Sequence, residues 1–286
     1  MKVFSISLVI VFSLFTFTSF AYESREPMKK NVINLGTWSA SPMSSPQGHG
    51  LLDQLMKEAF NRCCKLDVKV ATLPPARSLK LANNGTIDGE LPRIANISGA
   101  NSNYPNLLQV DIPIIPINHV AFTKKPDIHV NSWDDLKPYN VGVVTGWKIL
   151  ERNIKKYRTL TKFDDEKSLF NALKKGRIEV AVYSRLSGLM EIHKMGLNGI
   201  YGSNAAKFKT GKYKLYMYMH IKHKSLISKL ENTLTEMKNN GSYAKIYCKT
   251  ISSYLPGKEA DMVIVNALKS IGAKQGKRCS DMINSP

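Results

Sequence analysis

The spacing of apolar and polar positions changes period repeatedly along this chain, and each change marks an element. "NVINLGTW" from Asn31 reads as a first strand ending at Trp38. The turn-rich loop "SASPMSSPQGHG" follows. "LLDQLMKEAF" then places Leu51, Leu52, Leu55, Met56, Ala59 and Phe60 on one helical stripe. "LDVKVATL" predicts a second strand. "PPARSLKLANNG" predicts a helix opened by proline and closed by glycine, and "TIDGELPRI" a third strand.

After "DIPIIPINHVAFTKK" the grammar restarts. In "SWDDL", Ser132 is the expected N-cap, with Asp134 and Asp135 as first-turn acids. "YNVGVVTGW" predicts a strand running into a glycine turn, and "KILERNIKKY" a helix. "EKSLFNALKKG" and "RIEVAVYSR" then repeat an earlier phrase: "NNGTIDGELPRI" and "KKGRIEVAVYSR" both run helix, Gly, x-Ile-acid, strand. "YKLYMYMHI" returns as a strand, and three helical runs close the chain. In the first of them, Leu226, Leu230, Leu234 and Met237 share a face. Two cycles of strand and helix predict an α/β fold of two lobes with right-handed crossovers. The first lobe takes residues 22–120 and 214–286, the second 121–213. Crossing segments near Val120–Lys124 and Tyr213–His220 are expected to form the hinge.

Residues 1–21 are set apart. Lys2, an apolar run from Val3 to Phe20 and "SFA" ending at Ala21 have the form of a cleaved signal peptide, favoured over an uncleaved anchor because Ser and Thr thin the run. Export to the periplasm is the expectation. The formal net charge of +19 raises a nucleic-acid reading, but the lysines are scattered and accompany no recognition module. A solvated basic surface is the better account, and it would help gather a small anion. Four cysteines in an oxidising compartment suggest disulfides. Cys248 with Cys279 would staple the tail and leave Cys63 beside Cys64; crossed pairing between the halves is equally open.

Ligands of open α/β sheets bind beyond the carboxyl ends of strands. The repeated phrases deliver Pro92 and Arg93 there in one half, and Tyr183, Ser184 and Arg185 in the other. Arg93 is the sharpest candidate, since a guanidinium holds a carboxylate with two parallel bonds. Arg77 stands in the first turn of a helix, where a cation opposes the helix dipole unless it faces an anion. Thr145, Gly146 and Trp147 occupy a strand-to-helix turn suited to an anion. Trp38 and Trp147 could sandwich an apolar part of a ligand, although core packing is the commoner role of such rings. No GxSxG, P-loop, HExxH or CxxC pattern occurs, and neither cofactor nor metal is expected.

Four stretches, "LPPARSLKLANNGTIDGELPRI", "SWDDLKPYNVGVVTGW", "LFNALKKGRIEVAVYSRLSG" and "LYMYMHIKHKSLISKLENTLTEMKNNGSYAKI", resemble the family 3 periplasmic solute-binding proteins, in that family's order. The resemblance implies the type II periplasmic-binding fold, a monomer whose lobes shut on a small polar solute, and delivery to an ABC importer or a membrane sensor. It implies that Arg93 holds a ligand carboxylate, helped by Thr145. Members that bind amino acids commonly carry Asp where Ser184 stands, which points away from standard amino acids and toward a carboxylate or other anion. Some relatives of this fold are dehydratases; here Glu90 or Asp88 would have to supply the acid.

Overall fold

The computed structural model describes residues 32–39, 42–202, 212–276 and 278–284. The leader read as a signal peptide lies outside the described residues. The order of elements is β1 (Val32–Thr37), α1 (Leu51–Cys64), β2 (Asp67–Thr72), α2 (Pro75–Asn83), β3 (Gly89–Ile94), β4 (Leu107–Thr123), β5 (Asn140–Val144), α3 (Lys148–Asn153), β6 (Thr159–Phe163), α4 (Glu166–Lys174), β7 (Val180–Ser184), α5 (Arg185–Lys194), β8 (Tyr201–Gly202), β9 (Lys212–His220), α6 (Lys224–Asn239), α7 (Ser242–Ile251), α8 (Lys258–Ser270) and α9 (Cys279–Ile283).

Two half-sheets, each mixed and flanked by helices, are joined into a single path, β2-β1-β3-β9-β4-β7-β5-β6, with β8 on the edge of β4. The join is β4. Its residues Leu107–Asn118 pair antiparallel with β9, across an irregularity between Val110 and Ile115. From His119 to Phe122 it pairs with β7 instead. The change of partner therefore falls at Asn118–His119, and β9 returns beside it to β3. The two half-sheets thus share this strand.

The repeated phrase performs the same task in both halves. Gly85 and Gly176 each end a helix at positive φ, 73° and 70°, a conformation that costs glycine little. The amide of Thr86 then donates to Leu81 O, and that of Arg177 to Ala172 O. Two residues on, the acid locks neighbouring strands. Asp88 donates its amide to Asn34 O at 2.7 Å and accepts the Asn34 amide on Oδ2 at 2.8 Å. Glu179 donates to Asn140 O at 2.9 Å and accepts the Asn140 amide on Oε2 at 3.1 Å.

The stripe Leu51, Leu52, Leu55, Met56, Ala59 and Phe60 is wholly buried against the sheet. Leu230, Leu234 and Met237 of α6 join the same core, while Leu226 is half-buried at its margin. The C-terminal helices are tied down twice. Cys248 is bonded to Cys279, and Lys238 donates to Pro113 O at 2.6 Å and Ile271 O at 2.9 Å. Cys63 and Cys64 are bonded to each other at the end of α1. In "SWDDL" the expected roles exchange: the Asp135 carboxylate accepts the amides of Asn131 and Ser132, at 2.9 and 3.1 Å. Only a short 3₁₀ turn, Asp134–Leu136, follows. No helix among the described residues is long and apolar enough to cross a membrane.

Candidate functional site

Residues at or just beyond the carboxyl ends of β1, β5 and β7 line a cavity of about 500 Å³ walled from both halves. That size lies within the range of small-molecule sites. Ser39, Pro42 and Met43 enter it from the loop after β1. Buried Asp53 of α1 fixes that loop, accepting the Ser44 hydroxyl at 2.7 Å and the amides of Ser45 and Gly50 at 2.8 and 2.9 Å. Ile115 and Ile117 of β4 and Leu215 of β9 form the floor. α5 supplies Leu186, Met190, Glu191 and Lys194.

Aromatic rings cluster on the cavity wall. Trp38 and Trp147, from opposite halves, meet edge to face with centroids 5.4 Å apart. Trp147 also packs on Tyr183 at 5.3 Å and on buried His119 of β4 at 5.4 Å. Trp38 is pinned by its indole N–H, which donates to Pro92 O at 2.8 Å. Such ring pairs contribute roughly 0.5–1.5 kcal/mol beyond area burial. This contact between the halves is thus a modest one, compatible with opening. Burial raises the Tyr183 phenol far above its usual range, and the fields of Glu166 and Glu191 push it the same way. Both carboxylates also line the cavity.

Of the residues that the sequence singled out, Trp38, Trp147, Tyr183 and Ser184 line this cavity together. Ser184 is buried at the start of α5 and makes no capping bond with its side chain. Thr145 and Gly146 are exposed just beyond β5. The Thr145 hydroxyl turns back to donate to Phe163 O at 3.0 Å, steadying the turn. Arg185 begins α5, its guanidinium beside Gly202. Arg77 is exposed on the first turn of α2.

Arg93 is engaged within the protein. Its Nε donates to Glu90 Oε1 at 2.6 Å, and its Nη2 donates to the same oxygen and to Pro75 O, the latter at 2.8 Å. Glu90 is fully buried; burial raises its carboxyl and the Arg93 charge pulls it back. Asp88 is occupied as well. Burial would raise it, but the Asn34 amide, Lys222 and His223 hold it down at about 2. Neither acid lines the cavity.

Sequence reasoning missed Glu166, Glu191, Lys194, Met43 and Met190. Glu166 lies in the first turn of α4, where an acid suits the helix dipole whatever else it does, and α5 has no side-chain cap to announce it. One signal was present: Glu191 falls among Gly188, Leu189, Met190 and Ile192, all buried on α5.

No protein-family model matches the chain. An uncharacterised protein of Shewanella oneidensis is 24% identical over 179 residues, which cover 60% of this chain and 66% of that one, just short of two thirds of its length. The amino-acid ABC transporter substrate-binding protein AbpA of Streptococcus pneumoniae, solved bound to L-arginine, superposes with a TM-score of 0.60 at 13% identity, over 80% of this chain and 98% of that one. A histidine kinase sensor domain similar to periplasmic binding proteins superposes with a TM-score of 0.59 at 14% identity, over 77% of this chain and 96% of that one. At these identities the likeness is one of architecture: the chain has the two-lobed, mixed α/β fold of the type II periplasmic solute-binding proteins.

Proposed function

We propose that this protein is an exported solute-binding protein, which captures a small solute between its halves without changing it chemically and hands it to an ABC importer. The cavity walled by strand ends from both halves carries this reading. A solute held there touches Trp38 on one side and Trp147, Tyr183 and α5 on the other, so its binding free energy is greatest in the shut form. That differential affinity is what shifts the conformational balance. Asp88 and Glu90, the acids that a dehydratase reading calls on, are engaged outside the cavity. The likeness to a sensor domain favours a second reading, in which the shut form docks on a membrane receptor.

The carboxylate-bearing solute expected from Arg93 has a weaker foundation in the folded chain, because that guanidinium already serves Glu90. Carboxylates are therefore one arm of the test and not its premise. Screening metabolites of all charge types by thermal shift should raise the melting temperature for at least one class, since a ligand bound only to the native state stabilises it. Trp147→Ala should remove that rise. A rise that survives Trp147→Ala places the ligand elsewhere and refutes the cleft reading. Recovery of the ligand unaltered separates capture from catalysis.

A further inference from the structure

We infer that the cavity selects an organic cation, an ammonium carrying an apolar or aromatic body and no carboxylate. The inference rests on the capture reading and names the ligand class for the same cavity. Three observations meet here. The rings of Trp38, Trp147 and Tyr183 crowd one region, and the negative faces of such rings attract cations. Two carboxylates, Glu166 and Glu191, line the same space, and Glu191 is only 7% exposed. Both act on the Tyr183 phenol as negative charges, which places their fields inside the aromatic region.

The positive groups do not balance them. Among the described lining residues Lys194 is the one cation. Its ammonium lies 3.4 Å from Glu191, but its side chain is 76% exposed, so water screens it. Arg77, Arg93 and Arg185 are absent from the lining. A zwitterionic amino acid would bring a carboxylate into this acidic space with only that screened amine to meet it. Met43, Ile115, Ile117, Leu186, Met190 and Leu215 give the rest of the wall a large apolar share, which suits the body of the ligand, beside the hydroxyls of Ser39, Ser184, Ser187 and Tyr254.

Three probes of similar shape separate the charge classes: benzyltrimethylammonium, L-phenylalanine and 3-phenylpropionate, titrated calorimetrically into the mature protein. The ammonium should bind at least tenfold more tightly than either of the others. Glu191→Gln should weaken it tenfold or more. Glu166→Gln gives the same test should the first variant fail to fold. Equal or tighter binding of phenylalanine or phenylpropionate, an ammonium affinity unmoved by the glutamine variants, or no binding of the ammonium each overturns the cation assignment. If one of the other two probes binds and Trp147→Ala abolishes its signal, the cleft remains the capture site and only the ligand class is wrong.

Discussion

Arg93 and Glu90 show how a residue that looks like a binding group becomes part of the frame. Glu90 has no exposed surface, and Arg93 is the cation that offsets its burial. Removing one member of a buried pair leaves an uncompensated charge and typically costs about 3–5 kcal/mol. Arg93→Ala should accordingly lower the urea midpoint steeply, and Glu90→Gln with Arg93→Met should recover much of the loss. A small effect of Arg93→Ala on stability, with ligand binding abolished, would return Arg93 to the site. Lys238 poses a similar question of burial. Desolvation, assisted by Lys214, depresses its ammonium from 10.5 to about 8. Between those values the unfolded chain holds a proton that the native one has shed, so native stability rises with pH across the window. Denaturation at pH 7.5 and 10.5, wild type against Lys238→Met, should show an extra gain of about 3 kcal/mol in the wild type.

At the level of elements, the twice-written phrase is a strand lock. Asp88 and Glu179 each exchange bonds with the backbone of the neighbouring parallel strand. Asp88 is held at about 2, below its ordinary 3.8, so its contribution is present above the higher value and lost as pH falls through the lower one. About 2 kcal/mol of acid-labile stability should vanish in Asp88→Asn, visible as a flatter pH profile from 4 to 2. This pairing of glycine, isoleucine and acid was legible because local rules dictate it: positive φ demands glycine, and the apolar position alternates with the bonded one. β4 was not legible as one strand, because Pro113 and Pro116 lack the amide that a ladder needs and argue against a central strand. The irregularity between Val110 and Ile115 absorbs the first of them. The cavity was half legible. Trp38, Trp147, Tyr183 and Ser184 follow directly from strand ends, whereas Glu166 and Glu191 depend on how α4 and α5 lean toward one another, which no spacing encodes.

For the whole molecule, a strongly positive body and an acidic cavity make opposite demands on a ligand. The net charge of +19 repels a cation at long range, while Glu166 and Glu191 attract it only on arrival. Salt screens the first effect more than the second. The association rate of benzyltrimethylammonium should therefore rise between 20 and about 200 mM salt, measured by stopped-flow tryptophan fluorescence. A falling rate would show that the acidic cavity, rather than the positive body, governs the approach. The Cys248–Cys279 bond closes a segment with a sequence separation of 31. By chain entropy such a closure contributes about 4 kcal/mol. Cys248→Ser with Cys279→Ser should lose roughly that amount in denaturant, and titration of the unfolded wild type should find no thiol before reduction.

β4 changes partners between Asn118 and His119. Side chains alternate faces along a strand, so inserting one residue at that point would turn every later position of β4 over. His119 would leave the packing of Trp147, and Val120 and Phe122 would exchange surroundings with Ala121. Residues 107–118 would keep their own alignment. Length variation in this protein should accordingly be tolerated in the loops and refused at this joint, where a single extra amide disorganises one half while sparing the other.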